Sequence, residues 1–254
     1  MNIKVKDLYF GYNDKYLLEK INLEFKSGNI YAILGRNGSG KTTLIKLILG
    51  LLNFKRGLIT IEGNNCVKIK SNELSKLIAY VPQSEQATYE IKVIELVVMG
   101  RNPYLNLFDM PSHKDYELAE KALENLGIKN LMQKSYCEIS GGERQLVLIA
   151  RALVQNTKFI LMDEPVSSLD IRNQHDVLNK IKDISRNLGI GIVLSIHDPN
   201  LAMRYCNKTV LLKNGRIMNH GNTKDILNQQ NLLEVYDMKF EALESENGIN
   251  FVSL

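Results

Sequence analysis

Residues 35–42 read GRNGSGKT, a match to G-x-x-x-x-G-K-[ST]. The apolar run 30–34 precedes this stretch, and 44–52, whose apolar residues suit a helix, follows it. The motif therefore sits in the strand, loop and helix context that its chemistry requires. Gly35, Gly38 and Gly40 let the backbone fold into a concave loop with its N–H groups turned inward, and a helix starting near Lys41 adds its positive dipole end. A polyphosphate suits such a cradle, with Arg36, Asn37, Ser39 and Thr43 as the remaining contact positions. Lys41 reaches the β- and γ-phosphates, and the Thr42 hydroxyl takes one position on a Mg²⁺. On its own the motif specifies a nucleoside triphosphate and nothing narrower.

Two further apolar runs, 159–162 and 190–196, are short and apolar on both faces, and helical stretches separate them. Buried strands of a parallel sheet read this way, and such sheets bind ligands at their carboxyl ends. Asp163 and Glu164 follow one run and His197 the other, so three strands deliver a phosphate cradle, two carboxylates and an imidazole to one edge. Asp163 is expected to hold the metal through water. Glu164 is expected to orient or deprotonate the water that attacks the γ-phosphate. His197 suits a hydrogen-bond donor to that phosphate, and Gln83 ends another candidate strand, 78–81.

Around this centre the runs 3–10 and 18–26 alternate in part with period two and flank GYNDKY, so they read as an antiparallel pair joined by a turn. Tyr12 falls in that turn, where an exposed ring can lie against an adenine. A strand over 58–62 and a short helix over 72–77 follow. From 84 to 156 the pattern becomes helical, with Tyr116, Ala119, Ala122, Leu123 and Leu126 forming one apolar stripe. Gly141 and Gly142 open a helix expected to turn Leu146, Ile149, Ala150 and Leu153 inward. Over 239–254, KFEALES and INFVSL alternate on either side of ENG and read as a hairpin. The expected fold is α/β of the P-loop NTPase type, with a mostly parallel core sheet, an antiparallel β part and a helical subdomain. The expected division is a core of 1–83 and 157–230, a helical subdomain of 84–156, and a tail of 231–254.

Composition narrows the class. The chain has 254 residues, 44% of them hydrophobic and 24% charged, as in an ordinary folded domain. The net charge of +4 comes from scattered lysines, so no nucleic-acid face is expected. Cys66, Cys137 and Cys206 lie far apart and form no C-x-x-C pair, which suits a reducing cytosol. The longest greasy run, 44–52, is short and contains Lys46, and the N-terminus lacks an apolar signal core, so no membrane crossing is expected.

GRNGSGKT, the YVPQ ending at Gln83, ISGGERQ at 139–145, FILMDEP at 159–165, SSLD ending at Asp170 and the histidine of SIHD together resemble the nucleotide-binding subunit of an ATP-binding-cassette (ABC) transporter. The resemblance runs in the family's order over nearly the whole chain. It implies a dimer of two copies sandwiching two ATP molecules, each held by one copy's phosphate loop and the other copy's Ser140, Gly141, Gly142 and Glu143. It also implies that Tyr12 stacks on adenine, that Gln83 senses both metal and membrane partner, and that Asp170 contacts across the dimer. Two departures stand out: the signature carries Ile139 and Glu143 where leucine and glutamine are usual, and Val166 replaces a common threonine. VMGRNPY at 98–104, IHDPNLAMRYCNKTVLLKNGRI at 196–217 and the ending LLEVYDM resemble more narrowly the ATPases of importers for iron-siderophores, haem and cobalamin. Metal-ion and molybdate importers share much of this pattern.

Such an importer ATPase is peripheral, at the cytoplasmic face of the cell membrane, and works with two polytopic permease subunits and, indirectly, a substrate-binding protein. A non-transport ABC ATPase is the alternative class. Repair ATPases of that kind place a long coiled coil between phosphate loop and signature, and no sustained heptads lie between Lys41 and Ser140. The stretch from Gln83 to Leu107 is the expected docking site for the membrane partner, with Tyr104, Leu107 and Phe108 as its exposed apolar residues.

Overall fold

Alternation of buried and exposed side chains defines the first two strands, β1 (Asn2–Tyr12) and β2 (Lys15–Lys26), which pair antiparallel with Tyr12 opposite Lys15. The computed structural model describes residues 1–12, 15–83, 90–106, 108–245 and 248–254, with Ser245 described by its backbone alone. Tyr12 thus ends a strand rather than sitting in the turn, because cross-strand pairing continues to the last residue before the connection. Asn13 and Asp14 of that expected turn lie outside the described residues, as do residues 84–89, Leu107, Glu246 and Asn247.

Strand β3 (Ile30–Leu34), buried at every position, leads into helix α1 (Lys41–Ile48). Strand β4 (Arg56–Ile61), two residues earlier at its start than expected, pairs on the other side of β1 and carries β5 (Asn64–Asn65). Helix α2 (Ser71–Ser75) and strand β6 (Ile78–Val81) come next. Between β6 and β7 (Phe159–Met162) the described elements are helical, chiefly α3 (Val93–Val98), α4 (His113–Asn125) and α5 (Gly141–Val154). Helix α5 turns Ile149 and Ala150 inward as expected, but Leu146 and Leu153 less so. It is buried nearly all round, with Leu148, Ile149 and Ala152 deep and Leu146 and Leu153 only half-buried, because it packs against α3, α4 and α6 (Ile171–Leu188) at once.

The chain continues through β8 (Gly191–Ile196), α7 (Pro199–Tyr205), β9 (Lys208–Lys213), β10 (Arg216–Asn222), α8 (Thr223–Ile226) and α9 (Gln229–Tyr236). It ends in the expected hairpin, β11 (Phe240–Ser245) and β12 (Gly248–Ser253). The core sheet has six strands in the order β10-β9-β3-β8-β7-β6, parallel except for the β9–β10 hairpin. Strand periodicity splits the core in two. Ala32, Leu34, Ile160, Met162, Leu194 and Ile196 face the helical side, while Tyr31, Ile33, Leu161, Val193 and Leu212 face the antiparallel sheet and α1. With both faces covered, the open carboxyl ends of β3, β6, β7 and β8 are where side chains remain free to do chemistry.

Candidate functional site

The phosphate loop is shaped by close backbone approaches. A Cβ on Gly35 would fall 2.2 Å from the carbonyl oxygen of Leu212, and Gly40, which caps α1, has φ of 106°. The α1 start has no side-chain cap and no acidic residue in its first turn, so the positive end of its dipole is left for an external anion. Lys41 is 5% exposed, and its Nζ donates to the carbonyls of Gly35 at 2.9 Å and Arg36 at 3.3 Å. Burial pushes its pKa down, and the charges of Glu164 and Asp163 pull it back up. The buried Ser39 hydroxyl has no hydrogen-bond partner among the described residues. A buried orphan hydroxyl, an uncapped helix start and a lysine fit a polyphosphate.

Two hydroxyls meet the first carboxylate. Thr42 Oγ1 donates to Asp163 Oδ1 at 3.0 Å, and Ser195 Oγ donates to the same oxygen at 2.8 Å, with Asp163 itself buried. A hydroxyl beside a carboxylate oxygen is a donor set that suits a hard cation such as Mg²⁺. The next residue, Glu164, has φ of 47°, a left-handed conformation uncommon for its type, and its N–H donates to Ser195 Oγ at 2.8 Å. Its carboxylate is held from two sides: Gln83 Nε2 donates to Oε2 at 2.7 Å, and His197 Nε2 meets Oε1. His197 Nδ1 lies 3.5 Å from Lys41 Nζ. Facing an ammonium, Nδ1 is the acceptor, which assigns the ring proton to Nε2 and makes it the donor to Glu164.

The structure thus gathers the ends of β3, β6, β7 and β8. Asn37, Gly38, Gly40, Lys41, Thr42 and Thr43 line one cleft with Gln83, Glu164 and Leu17 of β2. Other singled-out residues lie apart. Tyr12 is 61% exposed with its ring edge-on to Phe10, and it does not line the cleft. The side chain of Arg36 turns to Asp237 at 3.0 Å. Ser140 to Glu143 open a different helix, where the Glu143 carboxylate accepts from Ser140 N at 2.8 Å and Ser140 Oγ at 2.7 Å. Asp170 caps α6 by accepting from Asn173 N at 2.9 Å. Val166 is buried in the core, which accounts for an apolar residue there. Sequence reading passed over Ser195, whose hydroxyl bonds both Asp163 and the Glu164 N–H; its signal was a hydroxyl in an otherwise apolar strand, two residues before His197.

Residues 18–167 match the model of the ABC transporter family. Among curated relatives, a probable iron chelatin transport ATP-binding protein of Helicobacter pylori (strain ATCC 700392 / 26695) is 38% identical over 98% of this chain and 98% of its own length. The hemin import ATP-binding protein HmuV of Bordetella avium (strain 197N) is 34% identical over 96% of this chain and 95% of its own. Among solved structures, a chain of an inward-facing ABC transporter classed as metal-chelate type superposes with a TM-score of 0.87 at 32% identity, covering 99% of this chain and 97% of that one. With the phosphate loop and both carboxylates at one sheet edge, and with relatives matching end to end, the chain belongs to the ABC transporter family as one of its ATP-binding, ATP-hydrolysing members.

Proposed function

We propose that this chain is the ATPase of an importer, coupling ATP binding and hydrolysis to uptake of a metal chelate of the iron-siderophore, haem or cobalamin type through separate membrane subunits. The observation that carries the hydrolytic part is the placement of Glu164 beside the cradle, fixed by Gln83 and His197. Glu164 accepts the proton of the attacking water, and Gln83 and His197 aim its carboxylate. Lys41 engages the β- and γ-phosphates when ATP occupies the cleft. His197 then exchanges its Nε2–H from Glu164 to the γ-phosphate. Thr42, Gln83 and Asp163 would hold Mg²⁺, which would supply charge neutralisation on the phosphates. Tyr12 stacks on adenine, and Ser140, Gly141, Gly142 and Glu143 of a second copy close over the same nucleotide, with Asp170 at the contact between copies.

The cargo class rests on the relatives. Iron chelatin transport and hemin import are named for two of them, while a third, a molybdate import ATP-binding protein of Haemophilus influenzae, is 35% identical over 93% of this chain and 88% of its own length. Molybdate import is therefore the second reading. No helix among the described residues is long and apolar enough to cross a membrane. Two permease subunits supply the pathway, and the chain works at the cytoplasmic face.

The docking surface lies where α1 ends beside the turn after α3. Leu49, Leu51, Met99 and Pro103 line a groove there, and Phe108 beyond it is 92% exposed. Tyr104 is less free than its sequence position suggests: its O–H donates to the carbonyl of Gln155 at 2.9 Å, and Arg101 stacks on its ring at 3.9 Å. Leu107 lies outside the described residues. Phe108→Asp is the cleaner test, since so exposed a ring buries little against the fold. ATP binding by the isolated chain should be unchanged while co-purification with the membrane subunits and uptake are lost; assembly and uptake at parent level would move the docking surface elsewhere.

A further inference from the structure

The C-terminal segment reaches the hydrolytic edge from behind. Tyr236, the last residue of α9, donates its O–H to the carbonyl oxygen of His197 at 2.9 Å, and its ring packs edge-on against Phe240 at 5.7 Å between centroids. Burial, with the charge of Asp198 beside it, pushes the phenol pKa far up, so the group remains a donor at every ordinary pH. One residue on, Asp237 ends the helix with φ of 55° and accepts from Lys213 Nζ at 2.6 Å and Arg36 at 3.0 Å. From the hairpin, Phe251 N donates to Asn200 Oδ1 at 2.7 Å and Asn200 Nδ2 donates to Phe251 O at 3.0 Å, with the Phe251 side chain buried. Residues 197–200, immediately after β8, are therefore clipped by Tyr236 on α9 and by Phe251 on β12.

We propose that Tyr236 is a positioning residue for hydrolysis: it fixes the main chain of His197 so that the imidazole stays in line between Lys41 and Glu164. The inference rests on Glu164 being the general base and extends that role's support to a segment outside the phosphate loop, the signature and the carboxylate strand. The Arg36–Asp237 pair is exposed on both sides and contributes little by itself. The phenol is the stronger contact because it is part-buried, so water and salt screen it less than that exposed pair.

Tyr236→Phe in the full-length chain keeps the ring and removes one hydrogen bond. The net worth of such a bond corresponds to about a 2- to 13-fold change in an equilibrium, so kcat should fall by about that factor. KM for ATP should change less than about twofold, since the bonded carbonyl does not line the nucleotide cleft. Because Tyr236 acts through His197, adding Tyr236→Phe to His197→Ala should cause no further loss in single-turnover rate. A drop in melting temperature with kcat unchanged at assay temperature would overturn the proposal, as would an equal loss in the His197→Ala background. Glu164→Gln, assayed in parallel, separates the two levels. Hydrolysis by that variant at the parent rate would sink the hydrolytic reading, whereas an inactive Glu164→Gln beside a fully active Tyr236→Phe would sink only the brace.

Discussion

Ser195→Ala should cost both stability and turnover while leaving ATP binding intact. The hydroxyl is fully buried, donates to Asp163 at 2.8 Å and accepts from the backbone N–H of Glu164 at 2.8 Å. Alanine leaves that N–H without a partner, at about 1–3 kcal/mol, and removes a bond to a carboxylate worth about 1.5–3 kcal/mol. The two terms share one hydroxyl and do not add fully, so about 2–4 kcal/mol is expected. A domain stable by about 5–15 kcal/mol survives such a loss. Turnover suffers separately. Glu164 holds a left-handed conformation that disfavours an L-residue by about 1–2 kcal/mol, and Ser195 anchors the amide immediately after Asp163. Without the anchor the backbone relaxes and the carboxylate leaves its aim, and a displacement of that order lowers kcat by about 10- to 100-fold. Urea denaturation, steady-state ATPase and an ATP titration report the three quantities. Stability within about 0.5 kcal/mol of the parent, a change typical of neutral surface substitutions, together with kcat within twofold, would refute the reasoning.

Single contacts set the other outcomes. Lys41→Ala removes a charge-assisted contact to the triphosphate, so ATP affinity measured by titration should fall about 10- to 150-fold. Glu143 occupies the Ser140 N–H and hydroxyl at the α5 start with a negative charge, and those bonds hold its carboxyl below the usual range. Glu143→Gln should weaken the helix by about 0.3–1 kcal/mol, yet strengthen ATP-driven dimerisation in light scattering by removing a charge that opposes the partner's γ-phosphate. Asp115, paired with Arg101 at 2.8 Å, has its pKa lowered to about 2, chiefly by the Ser112 hydroxyl and then by Arg101. Its folded pKa lies below its unfolded value, so its contribution is present above pH ~4 and is lost as pH falls from ~4 towards ~2. Asp115→Asn should flatten that part of the stability–pH curve in denaturation experiments.

Much of this site was legible in sequence because its chemistry sits at the ends of strands buried on both faces. The runs ending at Leu34, Met162 and Ile196 announce themselves by being almost wholly apolar, and each leads directly into the loop, the carboxylates or the imidazole. Ser195 was not legible in the same way. Its role comes from register: Leu194 pairs with Met162, which places the next residue of β8 beside Asp163 and Glu164, and no local pattern encodes that. The Tyr236 contact is longer-ranged still, joining residues 39 apart through the packing of α9 on the sheet. Tyr12 was misplaced into a turn because GYNDKY is rich in turn formers, while cross-strand pairing extends β1 through it. Reading from strand ends also passed over α6, although Val177, Leu178, Ile181 and Ile184 recur at helical spacing. It passed over the β9–β10 hairpin as well, although Asn214 and Gly215, both at positive φ, form its two-residue turn.

The most direct measurement is the single-turnover hydrolysis of ATP by Glu164→Gln, with ATP binding measured on the same preparation. If Glu164 is the general base held by Gln83 and His197, the variant binds ATP with parent affinity and hydrolyses it about 10²- to 10⁴-fold more slowly. Hydrolysis at the parent rate by a folded, ATP-binding Glu164→Gln would contradict the account.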